Sequence, residues 1–148
     1  MNPYQARSEY VREIFYRANF IRDLDIRLDK VSEGTCETSL VIQERLLQQH
    51  GFIHGGVIAT MADHTAGGAA RSVSADKDVL TVEFKINYLR PAVGDRLRCT
   101  ATVLRARAKT VIVAEALVCA SNGEKETLVD KLKETLFLAD DPKSRAGS

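Results

Sequence analysis

Asp63 is the side chain best suited to chemistry, because it is a lone carboxylate within a long apolar segment. Between Gly51 and Ala70 it is the only side chain that is fully ionised at pH 7. An aspartate is almost never fully buried without a partner, and unpaired burial of its charge is expensive. The pattern leaves two interpretations: a structural ion pair with an arginine of a neighbouring strand, or a catalytic base or nucleophile in a cleft.

Two glycines, Gly55 and Gly56, follow His54 and begin the same apolar segment. A helix that starts here leaves its first backbone N–H groups unshielded, and these groups are unpaired donors at the positive end of the helix dipole. Such an arrangement is typical of an anion or oxyanion site. The alternative is close packing of the helix start against a strand, which glycine also permits.

The spacing of Gly55 and Asp63 restricts how the two residues could act together. They are eight positions apart, which corresponds to about 12 Å along a helix at about 1.5 Å per residue. An oxyanion donor and a base must each lie within about 3 Å of the reacting atoms. If both are catalytic, they come from different subunits, and we expect a symmetric dimer with two sites at its interface.

Hydrophobic periodicity predicts the elements that position these residues. Residues 55–70 form a helix that is apolar nearly all round and therefore buried. Residues 4–20 have the spacing of an amphipathic helix. Strands are predicted at 24–31, 34–42, 79–89, 96–106, 110–120 and 126–138. Short turns make neighbouring strands antiparallel, so one sheet curled round a central helix accounts for the pattern.

The composition is that of one globular domain. The chain has 148 residues and a net charge of +1, so no general attraction to nucleic acid or to an anionic membrane is expected. No apolar run approaches the roughly 18 residues of a membrane span, and the N-terminus lacks a secretory h-region. Three cysteines without a CxxC spacing are expected to be small core residues, in keeping with a cytoplasmic protein.

Two motifs resemble the hotdog-fold acyl-CoA thioesterases of the PaaI-like group. They are the run from Gly51 to Gly56 followed by Asp63, and the stretch 84–92 with its N-Y-L-R-P-A sequence. The resemblance covers roughly residues 20–138. It implies an α+β hotdog fold, with an antiparallel sheet of about six strands wrapped round a long central helix. It places an N-terminal helix in residues 1–20, the hotdog domain in 21–139 and a flexible tail in 140–148.

The same resemblance implies roles for individual residues. The Gly55 amide, with help from Gly56, would hold the thioester oxygen, and Asp63 would attack the carbonyl or activate water. The amide of Gln48 would assist at the carbonyl, and Thr81 would position water. The resemblance also implies a homodimer or a homotetramer built as a dimer of dimers. It implies no metal and no cofactor, since CoA is part of the substrate.

His54, Arg90 and Arg107 are further candidates for contacts with the substrate. His54 is expected to brace the loop before the helix, beside the substrate. Arg90 and Arg107 are favoured, among several basic residues of the strand region, for contacts with CoA phosphates.

Alternation in residues 79–89 places the apolar side chains on one face and groups Thr81 with the polar face, away from a helix. The apolar side chains of that face are Leu80, Val82, Phe84, Ile86 and Tyr88.

The sequence therefore predicts an acyl-CoA thioesterase that hydrolyses a small or medium acyl- or aroyl-CoA to the free acid and CoA. Gly67 stands where some relatives carry a Ser or Thr, so it either admits an acyl chain or packs closely. A hotdog hydratase or dehydratase is an alternative, but these enzymes combine a His with an acid in a different motif. A protein that binds acyl-CoA without turnover and a purely structural dimer are further alternatives.

Overall fold

An antiparallel sheet of six strands packs on a 17-residue helix in the computed structural model, which describes residues 2–107 and 110–140. The order across the sheet is β1-β2-β4-β5-β6-β3. The helices are α1 (Pro3–Arg17), α2 (Asn19–Asp23) and α3 (Gly55–Arg71), with a 3-10 turn at Glu44–Leu46. The strands are β1 (Arg27–Ser32), β2 (Thr35–Val41), β3 (Lys77–Tyr88), β4 (Arg96–Arg107), β5 (Val111–Asn122) and β6 (Lys125–Asp140).

Small side chains allow α3 to lie close to the sheet. Met61, Ala62, Ala66 and the neighbouring alanines are fully buried against the strands. A Cβ on Gly68 would stand 2.9 Å from the Cys36 sulfur, so glycine is needed where helix and sheet approach most closely. The predicted buried helix and surrounding sheet are therefore confirmed.

Helix α1 covers part of the face of α3 that the sheet leaves open. Val11 and Phe15 are buried in this contact. The Nε2 of His64 on α3 donates to the carbonyl of Phe15 at 3.0 Å, and Arg12 donates to the carbonyl of Leu28 on β1. These hydrogen bonds hold α1 in a defined position beside Asp63.

The N-terminal helix is shorter than the sequence pattern indicates. The prediction of one helix over residues 4–20 is wrong from Ala18 onward, because Ala18 adopts an extended backbone between α1 and the short α2. This break turns the chain so that Ile21, which is 2% exposed, enters the core. The predicted tail, 140–148, lies outside the described residues from 141 onward.

Strand β3 is an edge strand that carries a β-bulge. Its pairing with β6 shifts register between Thr81 and Glu83, which leaves Val82 as the extra residue. The bulge reverses the side-chain alternation, so the prediction that Leu80 shares a face with Phe84 is wrong. Thr81 instead lies on the helix-facing side, opposite the buried Leu136 of β6.

The described part of the chain contains no helix long and apolar enough to span a membrane. Cys36 and Cys99 are buried, and burial raises the pKa of each thiol to about 12. Cys119 is partly buried, and all three are free thiols. The expectation that the cysteines act as small core residues is confirmed for Cys36 and Cys99.

Candidate active site

The start of α3 presents one free backbone donor. His54 is the N-cap residue, and its Nδ1 accepts a hydrogen bond of 2.8 Å from the Gly56 amide. The Gly56 N–H is therefore already used, whereas the Gly55 N–H donates to no acceptor within the described residues. The geometry favours Gly55 over Gly56 as the donor to a ligand anion at this positive end of the helix dipole.

The Tyr88 ring packs closely against Gly55. A Cβ at this position would lie 3.1 to 3.2 Å from atoms of the Tyr88 ring. The Tyr88 hydroxyl also donates to the Gly55 carbonyl at 2.9 Å, which ties the end of β3 to the start of α3. Tyr88 was not predicted from the sequence as a site residue, although it lies in the N-Y-L-R-P-A stretch.

Gln48 and Arg90 line the same cleft as Gly55. This cleft has a volume of about 470 Å³ and is open to solvent. The side-chain oxygen of Gln48 accepts from the amides of His50 and Phe52, so its NH₂ group is the part left for a ligand. Arg90 is exposed and donates to the carbonyl of Leu128 at 3.0 Å. Below, "the Gly55 cleft" means this space and its lining by Gln48, Gly55, Tyr88 and Arg90.

Asp63 lies in the middle of α3 and is held by Thr81. The Thr81 hydroxyl donates to Asp63 Oδ1 at 2.7 Å, a contact that the bulge at Val82 makes possible. No ion pair joins Asp63 to an arginine in the part of the chain that the structure describes; the nearby Arg71 pairs with Asp78 at 2.6 Å. The structural-ion-pair interpretation of Asp63 is therefore not supported.

A second, smaller cavity of about 110 Å³ opens beside Asp63 and Thr81. Gly67 borders it, and a Cβ at Gly67 would meet no atom of the described chain within 4 Å. The apolar part of its wall comes from α1, β3 and β6 through Val11, Ile14, Phe15, Val79 and Leu136. This space, called the Asp63 cavity below, has none of its lining residues in common with the Gly55 cleft.

The sequence model of the thioesterase superfamily matches residues 50–126. The chain belongs to the thioesterase superfamily. The match includes Gly55, Asp63, Thr81 and Tyr88, and it ends before the second half of β6.

Solved structures and curated relatives of this thioesterase-superfamily chain agree with that assignment. A thioesterase family protein from Silicibacter pomeroyi is 35% identical, with a TM-score of 0.85 over 88% of this chain and 96% of the other. The Escherichia coli PaaI protein is 21% identical with a TM-score of 0.79 over 90% and 94%, which shows the shared fold. The predicted hotdog fold is thereby confirmed.

Among curated proteins, a medium/long-chain acyl-CoA thioesterase of Salmonella typhimurium is 28% identical over 69% of this chain and 77% of its own length. The chain spans 75% and 54% of the length of two putative esterases of Saccharolobus solfataricus.

Two buried acids on β6, Asp130 and Glu134, were not predicted from the sequence of this thioesterase-superfamily member. Asp130 is 0% and Glu134 1% exposed, and no oxygen of either side chain has a hydrogen-bond partner among the described residues. Burial raises the pKa of Asp130 to about 7 and that of Glu134 to about 10. The available signal was that both acids alternate with the buried Leu132 and Leu136.

Arg90 and Arg107 are the two arginines predicted to contact CoA phosphates. Arg90 lines the Gly55 cleft, as described above. Arg107 ends β4, but its side chain lies outside the part of the chain that the structure describes.

Proposed function

We propose that the chain is an acyl-CoA thioesterase whose two active sites form between the subunits of a homodimer. Each site takes the Gly55 cleft from one subunit and the Asp63 cavity from the other. The observation that carries this proposal is that the two half-sites lie on one helix but line separate spaces. A carbonyl group bound at the Gly55 amide of one chain therefore needs the Asp63 of another.

Exposed apolar side chains along β3 support a dimer. β3 pairs with β6 on one side only, and its other edge is free within the described chain. Five large apolar side chains in and just after β3 are 40 to 63% exposed, namely Leu80, Val82, Phe84, Tyr88 and Leu89. An exposed, apolar edge strand is a site for pairing with another chain. A dimer, or a tetramer built from two dimers, would cover it.

The proposed reaction is hydrolysis of a thioester. The Gly55 N–H stabilises the oxyanion that develops on the carbonyl oxygen, and the Gln48 amide assists there. Asp63 either accepts a proton from the attacking water or attacks the carbonyl itself to form an anhydride that water opens. In both routes the carbon–sulfur bond breaks, the acid is released and CoA leaves as the thiol. Thr81 keeps Asp63 oriented through its hydrogen bond to Oδ1.

The size of the Asp63 cavity favours the small end of the proposed range of small to medium acyl groups. Its volume of about 110 Å³ is below the ~150 Å³ of an engineered cavity that holds benzene. It runs beside Gly67, where the absence of a side chain leaves room along the helix. The CoA part would extend into the Gly55 cleft, where Arg90 is proposed to contact its phosphates. Arg107 is kept as a second candidate for such a contact.

A panel of acyl- and aroyl-CoA substrates with detection of released thiol tests the function directly. We expect turnover by the wild-type protein and a loss of about a hundredfold or more for Asp63→Ala. Calorimetric binding of CoA esters without any hydrolysis would instead indicate a non-catalytic binding protein.

Subunit complementation tests the shared site. Asp63→Ala and Gly55→Ala variants are unfolded together and refolded as a mixture. Random reassortment makes half of the dimers mixed, and each mixed dimer has one intact site, so about a quarter of wild-type activity should return. Activity no higher than the mean of the two separate variants would show that both residues act within one chain.

A further inference from the structure

Glu134 is a buried acid that the family match does not include and that the mechanism above leaves unused. It lies on the helix-facing side of β6, opposite Phe84 of β3 and Ala114 of β5. Its side chain is 1% exposed, and neither carboxyl oxygen has a hydrogen-bond partner among the described residues. A buried carboxyl group in this condition is costly unless it is neutral or finds a partner.

Asp63 lies on the same side of the sheet as Glu134. Thr81, whose hydroxyl binds Asp63, pairs with Leu136, and Leu136 is two positions from Glu134 on the same face of β6. The charged groups that act on Glu134 are Asp63 from α3 and Glu83 from β3. Glu83 already accepts a hydrogen bond from Thr135. Two neighbouring carboxyl groups do not both ionise readily, and Glu134, which is buried whereas Asp63 is partly exposed, is the one that keeps its proton. Burial, followed by the influence of Asp63, raises the pKa of Glu134 to about 10.

We propose that Glu134 is a positioning residue. As the neutral acid, it donates a hydrogen bond from its carboxyl group to Asp63 and so holds the reactive carboxylate in place. This inference rests on the proposed function of Asp63. The Thr81 hydroxyl donates to Oδ1 of Asp63. Glu134 supplies a second donor to Asp63, from β6. Asp63 is thereby fixed by two neutral donors. The proton stays on Glu134 throughout turnover.

Two substitutions separate this role from a structural one. Glu134→Gln keeps a neutral donor of similar shape, so kcat should remain within about threefold of wild type. The acid limb of the kcat/KM–pH profile should stay at the wild-type pH. Glu134→Leu keeps the buried volume but removes the donor, so kcat should fall about tenfold or more with little change in KM. Asp130→Asn is the matched control, since it alters a buried acid on the same strand and is expected to leave kcat unchanged.

Three results would overturn the proposal. One is an acid limb that moves down by a pH unit or more in Glu134→Gln, because only an ionised Glu134 would repel the Asp63 charge. Another is a wild-type kcat in Glu134→Leu. The third is read without activity and in the Asp130→Asn background, so that only Glu134 is followed: the infrared band of a protonated carboxyl group, expected at neutral pH and lost on the further change Glu134→Gln, would be absent before that change. If no CoA ester is hydrolysed, the proposed function fails, while this band still reports whether Glu134 carries the proton.

Discussion

The two functional regions of α3 differ in almost every physical respect. At its start, the Gly55 cleft is wide and open, and its main donor is a backbone amide. Two turns later, the Asp63 cavity is small, is partly closed by α1, and relies on the Asp63 and Thr81 side chains. The first region suits a long polar group such as CoA and the second suits an acyl chain. In the proposed dimer, one helix therefore carries complementary halves of a site that two chains complete.

Substituting alanine separately at Gly55 and at Gly67 tests this comparison, and the largest effect is expected at Gly55. Gly55→Ala places a Cβ within 3.2 Å of the Tyr88 ring and should displace the oxyanion donor, lowering kcat about tenfold or more. Gly67→Ala meets no described atom and should raise the free energy of unfolding by about 0.5–1 kcal/mol, as helical Gly→Ala changes do. Kinetics and urea unfolding of both variants provide the measurement. Equal loss of kcat in the two would remove the distinction between the regions.

A larger side chain at Gly67 tests the acyl side alone. Gly67→Leu should fill the Asp63 cavity, so kcat/KM for the longer acyl-CoAs of a chain-length series should fall several-fold more than for acetyl-CoA. The matched change Ala59→Leu lies on α3 outside that cavity and should not alter the ratio. A uniform decrease across the series would place the acyl group elsewhere.

The buried acids of β6 predict a pH dependence of stability. The pKa of Asp130 is raised to about 7, above the ~3.9 of an unfolded aspartate. Between these values the native state holds a proton that the unfolded chain has lost. The free energy of unfolding therefore decreases with rising pH, by at most about 1.4 kcal/mol per pH unit for this group. In urea titrations at pH 5, 6 and 7, Asp130→Asn should show a smaller decrease than wild type. Parallel slopes would indicate that Asp130 is ionised in the folded protein.

The smallest effect is expected at Arg90. It is exposed and lies at the Gly55 cleft, so a contact with CoA phosphates would be screened by salt. Arg90→Ala should raise KM for acyl-CoA about threefold at low ionic strength and less at high ionic strength. Acyl-pantetheine, which lacks the nucleotide phosphates, is the control substrate. A similar rise in KM for that substrate would argue against a phosphate contact.

Much of the fold was predictable because it depends on local patterns. Alternating apolar residues indicated the strands at 79–89 and 96–106, a nearly continuous apolar run indicated the strand at 110–120, and a turn at Glu33-Gly34 separated the first two strands. The hairpin turn at Asn122-Gly123 decided the sixth strand, which could also have been a helix. The apolar character of residues 55–70 predicted a buried helix, and the spacing of Gly55 and Asp63 predicted that their sites are separate. The break at Ala18 was missed, because it reflects the need to bury Ile21.

The sequence by itself determined the antiparallel sheet, the buried central helix and the two residues of α3 on which the proposed chemistry depends. Only the tertiary structure decided that Thr81 reaches Asp63, because the bulge at Val82 reverses an alternation that appears regular in the sequence. It also decided that Tyr88 closes over Gly55 and that Glu134 is buried near Asp63. These contacts join residues 18 to 71 positions apart, and such pairings arise from strand register and packing, which no local pattern encodes.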